Sequence, residues 1–214
     1  MKKHFEVAVG LPEPVDPKGF NRRAILPYGL KPLHVRKAMD EFVDFLGFIN
    51  QQLTARDMLQ LEAMLMPANF SSIVGEFMGT AIPRFCRSLV KNQYHNGHPD
   101  LIPANQFPGN AAQHSDRGVE IKASRYPSGW QGHNPEDTWL LVFVFSSDRP
   151  RDAALGSPPR PFRFEQVLAA QLQQADWSFS GRADGSRRTI TASLTASGFE
   201  KMAANWVYRA TGSR

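Results

Sequence analysis

Two chemically active side chains, Glu120 and Lys122, stand two positions apart in a segment whose other residues, Val119, Ile121 and Ala123, are apolar. Side chains of a β-strand point alternately to its two faces. The pattern therefore predicts a strand that buries its apolar residues in a core and presents a carboxylate beside an ammonium group on the other face.

A second carboxylate, Asp100, follows Pro99 upstream of Glu120. The fixed φ of the proline favours a defined strand end, where we expect Asp100 to come beside Glu120. Two carboxylates and a lysine at one place are costly unless a hard cation neutralises the acids. Mg²⁺ prefers such oxygen ligands and keeps waters and substrate phosphate oxygens in its shell. These side chains therefore predict a Mg²⁺ site that acts on a phosphate-containing substrate.

The pattern of an acid two residues before a lysine occurs twice in the chain, and its context separates the copies. The other copy is Asp16-Pro17-Lys18, in a proline-rich run where a central strand is not expected. The copy at Glu120 has a Pro-Asp pair upstream and the apolar run 139–145 downstream. The context favours the second copy as the chemical site.

Together, the Pro-Asp pair and the Glu-Ile-Lys triplet resemble the motif of the PD-(D/E)XK nuclease superfamily, the fold of many type II restriction endonucleases. The resemblance covers residues 71–146 and includes a glutamate-bearing helix before the first strand. It implies an α/β (α+β) fold with a restriction-endonuclease-like core. In that fold a central mixed β-sheet is flanked by helices, and here the N-terminal part is predicted to be helical.

The resemblance also implies roles for five residues. Asp100, Glu120 and the carbonyl of Ile121 are expected to hold Mg²⁺, and Lys122 is expected to orient the attacking water or stabilise the transition state. Glu76, on the preceding helix, can join the metal site, as an acid at this place does in related nucleases. The alternative is that Glu76 is a surface glutamate at the edge of an apolar stripe.

The function implied by the resemblance is Mg²⁺-dependent hydrolysis of phosphodiester bonds in double-stranded DNA. A small free-standing domain of this kind resembles a type II restriction endonuclease, and such enzymes commonly act as homodimers on palindromic targets. Alternatives are a DNA-repair nuclease of the same fold, a catalytically inactive DNA-binding module, and an unrelated α/β protein in which Glu120 and Lys122 form a surface pair.

Candidate DNA contacts lie in two segments. The loop after the predicted catalytic strand carries side chains able to read base edges or bind phosphates: Arg125, Trp130, Gln131, His133 and Asn134. The alternative is an ordinary turn in which Trp130 caps the core. Near the C-terminus, Arg187 and Arg188 lie in a predicted hairpin and are either phosphate ligands or solvated side chains. His98 and His114 are either metal or base candidates or hydrogen-bonded loop residues.

The composition of the chain limits the class of protein to which it can belong. The chain has 214 residues, of which 42% are hydrophobic and 21% charged, as in an ordinary folded protein with one substantial core. The single cysteine, Cys86, excludes an intramolecular disulfide and a cysteine-based zinc cluster. No apolar run approaches the roughly 18 residues of a membrane span, so we expect a cytoplasmic protein without a membrane partner. The net charge of +5 and the pI of about 9.6 fit a polyanionic partner.

We predict one nuclease domain over residues 1–214, divided into four parts. These are an irregular N-terminal arm (1–32), a helical part (33–92), the catalytic core strands (93–146) and a C-terminal helix, hairpin and helix (147–214). Within them, helical spacing predicts helices over residues 33–50, from Thr54 to before Pro67, and over 71–90. Strands are predicted at 5–9 and 138–145, and further elements at 164–174 (helix), 177–194 (hairpin) and 199–208 (helix).

Overall fold

A computed structural model describes residues 11–132, 137–156, 160–179 and 192–212 of the chain. The described helices are α1 (Pro32–Thr54), α2 (Leu61–Met64), α3 (Pro67–Phe85), α4 (Pro150–Ala154) and α5 (Ala196–Ala204). The strands are β1 (Leu89–Lys91), β2 (Leu101–Pro103), β3 (Val119–Ser124), β4 (Gln131–Gly132), β5 (Thr138–Ser146), β6 (Arg163–Leu172), β7 (Trp177–Phe179), β8 (Ala192–Leu194) and β9 (Trp206–Arg209).

Six strands form the central sheet in the order β1-β2-β3-β5-β6-β9. Strands β3 and β5 run parallel, and every other neighbouring pair is antiparallel. A second, three-stranded sheet has the order β4-β8-β7. The fold is thus mixed α/β with a central mixed sheet flanked by helices, which confirms this coarser part of the predicted fold class.

Strand β5 is buried on both faces, which confirms the strand predicted from its continuous apolar run. Leu141, Phe143 and Phe145 join the core cluster that includes residues of α1 and α3. Leu140 and Val142 point to the opposite face and join a cluster with residues of α5 and the small sheet. The sheet is therefore a middle layer with a core on each side.

The helical N-terminal part was predicted correctly in kind but not in its boundaries. Helix α1 continues to Thr54, which does not cap a second helix but donates its hydroxyl to the carbonyl of Asn50, 2.8 Å away. Pro67 does not end a helix; it begins α3, because the first turn of a helix needs no proline N–H. Helix α3 ends at Phe85, and the last residues of the predicted helix form strand β1 instead.

The predicted helix over 164–174 is wrong, since these residues lie in β6 and the turn after it. Phe164, Val167 and Leu168 have helical spacing, but they point into the two opposite cores because β6 is buried on both faces between β5 and β9. Pairing in the sheet overrides the local pattern.

The remaining C-terminal predictions were confirmed in part. Strands β7 and β8 pair in an antiparallel hairpin, whose turn lies outside the described residues. The last helix begins at Ala196, where the hydroxyl of Thr195 accepts the first-turn hydrogen bond, and it ends at Ala204 rather than at residue 208, because strand β9 follows. The predicted strand at 5–9 also lies outside the described residues.

Strands β2 and β3 approach each other closely at Gly118. A Cβ at this position would lie 2.2 Å from the carbonyl oxygen of Leu101 and 2.4 Å from Cγ of Pro99. The backbone of Gly118 also has φ +154°. Only glycine therefore allows the backbone contact that sets β2 against β3.

We predict that Gly118→Ala lowers the free energy of unfolding by about 3 kcal/mol, because the methyl group would collide with backbone. The matched control is Gly75→Ala in α3, where an added Cβ meets nothing within 4 Å. The control should gain about 0.5–1 kcal/mol from the higher helix propensity of alanine. Urea denaturation of both variants measures the difference, and equal stability of the two would contradict the assigned contact.

Candidate active site

The register of β2 and β3 brings Asp100 and Glu120 together. Leu101 pairs with Val119, and continuing this antiparallel register by one residue places Asp100 opposite Glu120. The backbone N–H of Ile121 donates to Oδ2 of Asp100 over 2.8 Å. Two carboxylates separated by twenty positions in the chain thus meet at one point of the sheet.

Glu120 lies between two donors. Nζ of Lys122 is 3.3 Å from Oε1 of Glu120, and Nδ1 of His98 is 3.0 Å from Oε2. Each carboxylate oxygen therefore has its own partner, so the orientation of the group is fixed. Because the glutamate and lysine are two positions apart on β3, the strand presents both on the same face.

His98 is hydrogen-bonded to the carboxylate of Glu120, which agrees with the hydrogen-bonded alternative for this residue. Its ring stacks on that of His114, with 5.6 Å between the ring centres. The signal that could have identified it is its position immediately before the Pro-Asp pair.

The loop that carries His98 and Asp100 is organised by the buried side chain of Asn92, which sequence reasoning missed. The Asn92 amide donates to the carbonyls of Pro99 and Ala112, and its oxygen accepts from the N–H groups of Tyr94 and Ala112, all within 2.7–3.1 Å. A saturated buried amide of this kind specifies one loop conformation.

The paired carboxylates open into a cleft of about 690 Å³. Its walls are the N-terminal half of α3, the ends of β1–β3 and the loop after β3. Glu76 lines this cleft, and its exposed side chain is paired with Lys91, with 2.6 Å between Oε2 and Nζ. Lys91 is a second lysine in the cleft that the motif did not indicate.

The two central carboxylates titrate very differently. Burial, and then the charge of Glu120, raise the pKa of Asp100 to about 7, although the Ile121 N–H and Lys122 act in the opposite direction. Burial also tends to raise the pKa of Glu120, but the hydrogen bond from His98 and the charge of Lys122 outweigh it and lower that pKa to about 2. Near neutral pH Glu120 is ionised while Asp100 is divided between its two forms.

The two carboxylates are oxygen donors of the kind that can hold Mg²⁺. Within the described ranges, no group of three or more His, Cys, Asp or Glu side chains is placed to hold a metal ion. Mg²⁺ is usually bound by one or two carboxylates, with waters and phosphate oxygens in the other positions. Asp100 and Glu120 supply two such carboxylates, and Ile121 also lines the cleft.

The candidate DNA contacts are placed differently from one another. Gln131 lies exposed in β4 and lines the cleft. Trp130 is 4% exposed, packs against Phe199 and donates its indole N–H to the carbonyl of Tyr126. Its ring therefore packs in the core, which agrees with the alternative of an ordinary turn in which Trp130 caps the core. Arg125 is half-buried beside a second cavity. His133, Asn134, Arg187 and Arg188 lie outside the described residues.

Comparison of the chain with protein-family models, curated proteins and solved structures gives no match. In the described part of the chain, no helix combines the length and apolar character that crossing a membrane requires.

We predict that Asp100→Asn is more stable than the wild type at pH 8 in EDTA. The raised pKa means that ionising Asp100 destabilises the fold as pH rises from about 4 to about 7, and this loss should reach at most about 4 kcal/mol. The asparagine oxygen still accepts from Ile121, so the variant avoids the loss, and its advantage should vanish at pH 4.

Melting temperatures of the two proteins across this pH range test the prediction. The control is Asp57→Asn, at an exposed position whose φ of 56° both residue types tolerate. A wild type that is more stable than Asp100→Asn at pH 8 would contradict the assigned cost of ionisation.

Proposed function

We propose that the protein is a Mg²⁺-dependent endonuclease that hydrolyses phosphodiester bonds in DNA. The observation that carries the proposal is the placement of Asp100 opposite Glu120, with Lys122 bonded to Glu120, in an open polar cleft. The resemblance of these residues to the PD-(D/E)XK motif supports the same reaction.

Each residue has a distinct task in this proposal. Bound by Asp100, Glu120 and the carbonyl of Ile121, Mg²⁺ would supply Lewis-acid stabilisation of the charge on the scissile phosphate. Lys122 donates a hydrogen bond to the attacking water or to the phosphate oxygen on which charge develops. His98 holds Glu120 in place from its other oxygen, 3.0 Å away.

The cleft also suits a polyanionic chain. One wall carries Ser71, Ser72 and Gly75, whose small side chains let a substrate backbone come close to α3. The net charge of +5 favours association with nucleic acid. Glu76 can join a metal site only after its contact with Lys91 opens, so we assign it a secondary role in the cleft.

The resemblance extends the proposal to a sequence-specific type II restriction endonuclease that acts as a homodimer on double-stranded DNA. A DNA-repair nuclease of the same fold is the nearest alternative. The intact set of Asp100, Glu120 and Lys122 argues against a catalytically inactive DNA-binding module, which would not need to keep all three.

We predict that Lys122→Ala, Asp100→Asn and Glu120→Gln each slow DNA cleavage by about 100-fold or more, because each removes a group that acts on the reacting phosphate or its cation. The assay uses unmethylated phage DNA with Mg²⁺ or EDTA. Lys31→Ala, an exposed lysine at the start of α1, serves as the control and should cleave like the wild type.

The products distinguish the candidate functions. Discrete fragments that require Mg²⁺ and Lys122 would establish a sequence-specific endonuclease, whereas a smear would indicate a nonspecific or repair enzyme. Tight DNA binding without cleavage would indicate a binding module. Undiminished cleavage by the Asp100 and Glu120 variants would overturn the site.

A further inference from the structure

A second cavity, of about 250 Å³, opens beside the cleft, and Tyr126 lines both. Three arginines line this arginine cavity, namely Arg125, Arg149 and Arg160. The proposed hydrolysis assigns no role to it. Several cationic side chains therefore lie next to the candidate active site, and the proposed hydrolysis does not require them.

Arg125 is held in one position at the wall of this cavity. Its Cζ lies 5.3 Å from the ring centre of Phe70 and 5.2 Å from that of Phe145, and its Nη1 donates to the hydroxyl of Ser147. Its Nε and Nη2 are buried and have no hydrogen-bond partner among the described residues. A buried cation with unpaired donors is costly unless an anion comes close.

Two of the three arginines are paired with aspartates. Nε of Arg149 lies 3.0 Å from Asp152, and Nε of Arg160 lies 3.3 Å from Asp148. Arg125 has no such ion pair among the described residues; the buried carboxylate of Glu62 attracts it without bonding to its Nε or Nη2. The unpaired N–H groups of Arg125 therefore leave a place for an anion in this cavity.

The arginine cavity begins where the catalytic strand ends. Arg125 directly follows Ser124, the last residue of β3, and lies at most about 10 Å along the chain from Lys122. One strand of a DNA duplex carries a phosphate about every 3.4 Å along its axis. A substrate strand that enters both cavities, with its scissile phosphate at Lys122, would therefore bring another of its phosphates near Arg125. Tyr126, which is 70% exposed, lies between the two cavities and offers its ring to a sugar or base.

We propose that the arginine cavity binds a non-scissile phosphate of the substrate strand, which fixes the strand relative to the catalytic carboxylates. The inference rests on the proposed nuclease function for the identity of the strand. The planar guanidinium groups suit the geometry of a phosphate, which they can bind through paired N–H donors.

The test measures the affinity of a DNA duplex in EDTA, in a Lys122→Ala background that removes cleavage. Adding Arg160→Gln should weaken binding at least about fivefold at 0.1 M salt and lower the slope of log affinity against log salt by up to about 0.9, the effect of one lost phosphate contact. Arg160→Lys, which keeps the charge, should retain most of the slope.

The matched control is Arg84→Gln in the same background. Arg84 is 64% exposed in its side chain, against 66% for Arg160, and it is also paired with a carboxylate, Glu41, over 3.0 Å. It lies outside both cavities and should leave affinity and slope unchanged. Equal slopes for the Arg84 and Arg160 variants, in a parent that binds DNA, would overturn the inference and leave the proposed function standing.

A second measurement uses inorganic phosphate without DNA. The Nε–H NMR signal of Arg125 should shift as phosphate is added, and Arg160→Gln should weaken that response. If phosphate shifts the signal but the parent protein does not bind DNA, the assignment to a nucleic acid strand fails together with the proposed function. Absence of any shift would overturn the anion site itself.

Discussion

The cost of ionising two facing, partly buried carboxylates is the constraint on which this site depends. Asp100 and Glu120 occupy facing positions on neighbouring strands, where burial and then the charge of Glu120 raise the pKa of Asp100. His98 and Lys122 stabilise the charge of Glu120. Glu120 is therefore ionised well below neutral pH, whereas Asp100 loses its proton only near neutral pH. For stability alone, a neutral residue in place of Asp100 would be more favourable. In a site that binds a divalent cation, the cation relieves the repulsion between the two carboxylates, and this relief favours its binding.

The surrounding fold keeps the two carboxylates in place despite this cost. Strand β3 is anchored by its parallel partner β5, which is buried between two cores, and α3 packs on the same part of the sheet. The buried Asn92 amide and the close contact at Gly118 fix the loop and strand that carry Asp100. These contacts together hold Asp100 and Glu120 in facing positions despite their like charges.

Local pattern was sufficient to predict the central part of the site, but not the parts that depend on distant contacts. Alternation around Glu120 and the apolar run of β5 each predict a strand, and both strands are where the sequence places them. Strand β6 was mistaken for a helix because burial on two faces can imitate helical spacing. Asn92 could not be recognised, since two of its four hydrogen bonds are made with Ala112, twenty residues further along the chain. The arginine cavity likewise forms only when the loops around Arg125 and Arg160 meet.

The central claim is that Asp100 and Glu120 together receive Mg²⁺, and thermal unfolding with and without the cation tests it most directly. At pH 8 the wild type should gain about 1.4 kcal/mol of stability at Mg²⁺ concentrations ten times the dissociation constant. Glu120→Gln, which removes one of the two carboxylates, should lose most of this gain. A wild type whose melting temperature does not respond to Mg²⁺, or a Glu120→Gln protein that responds equally, would contradict the account.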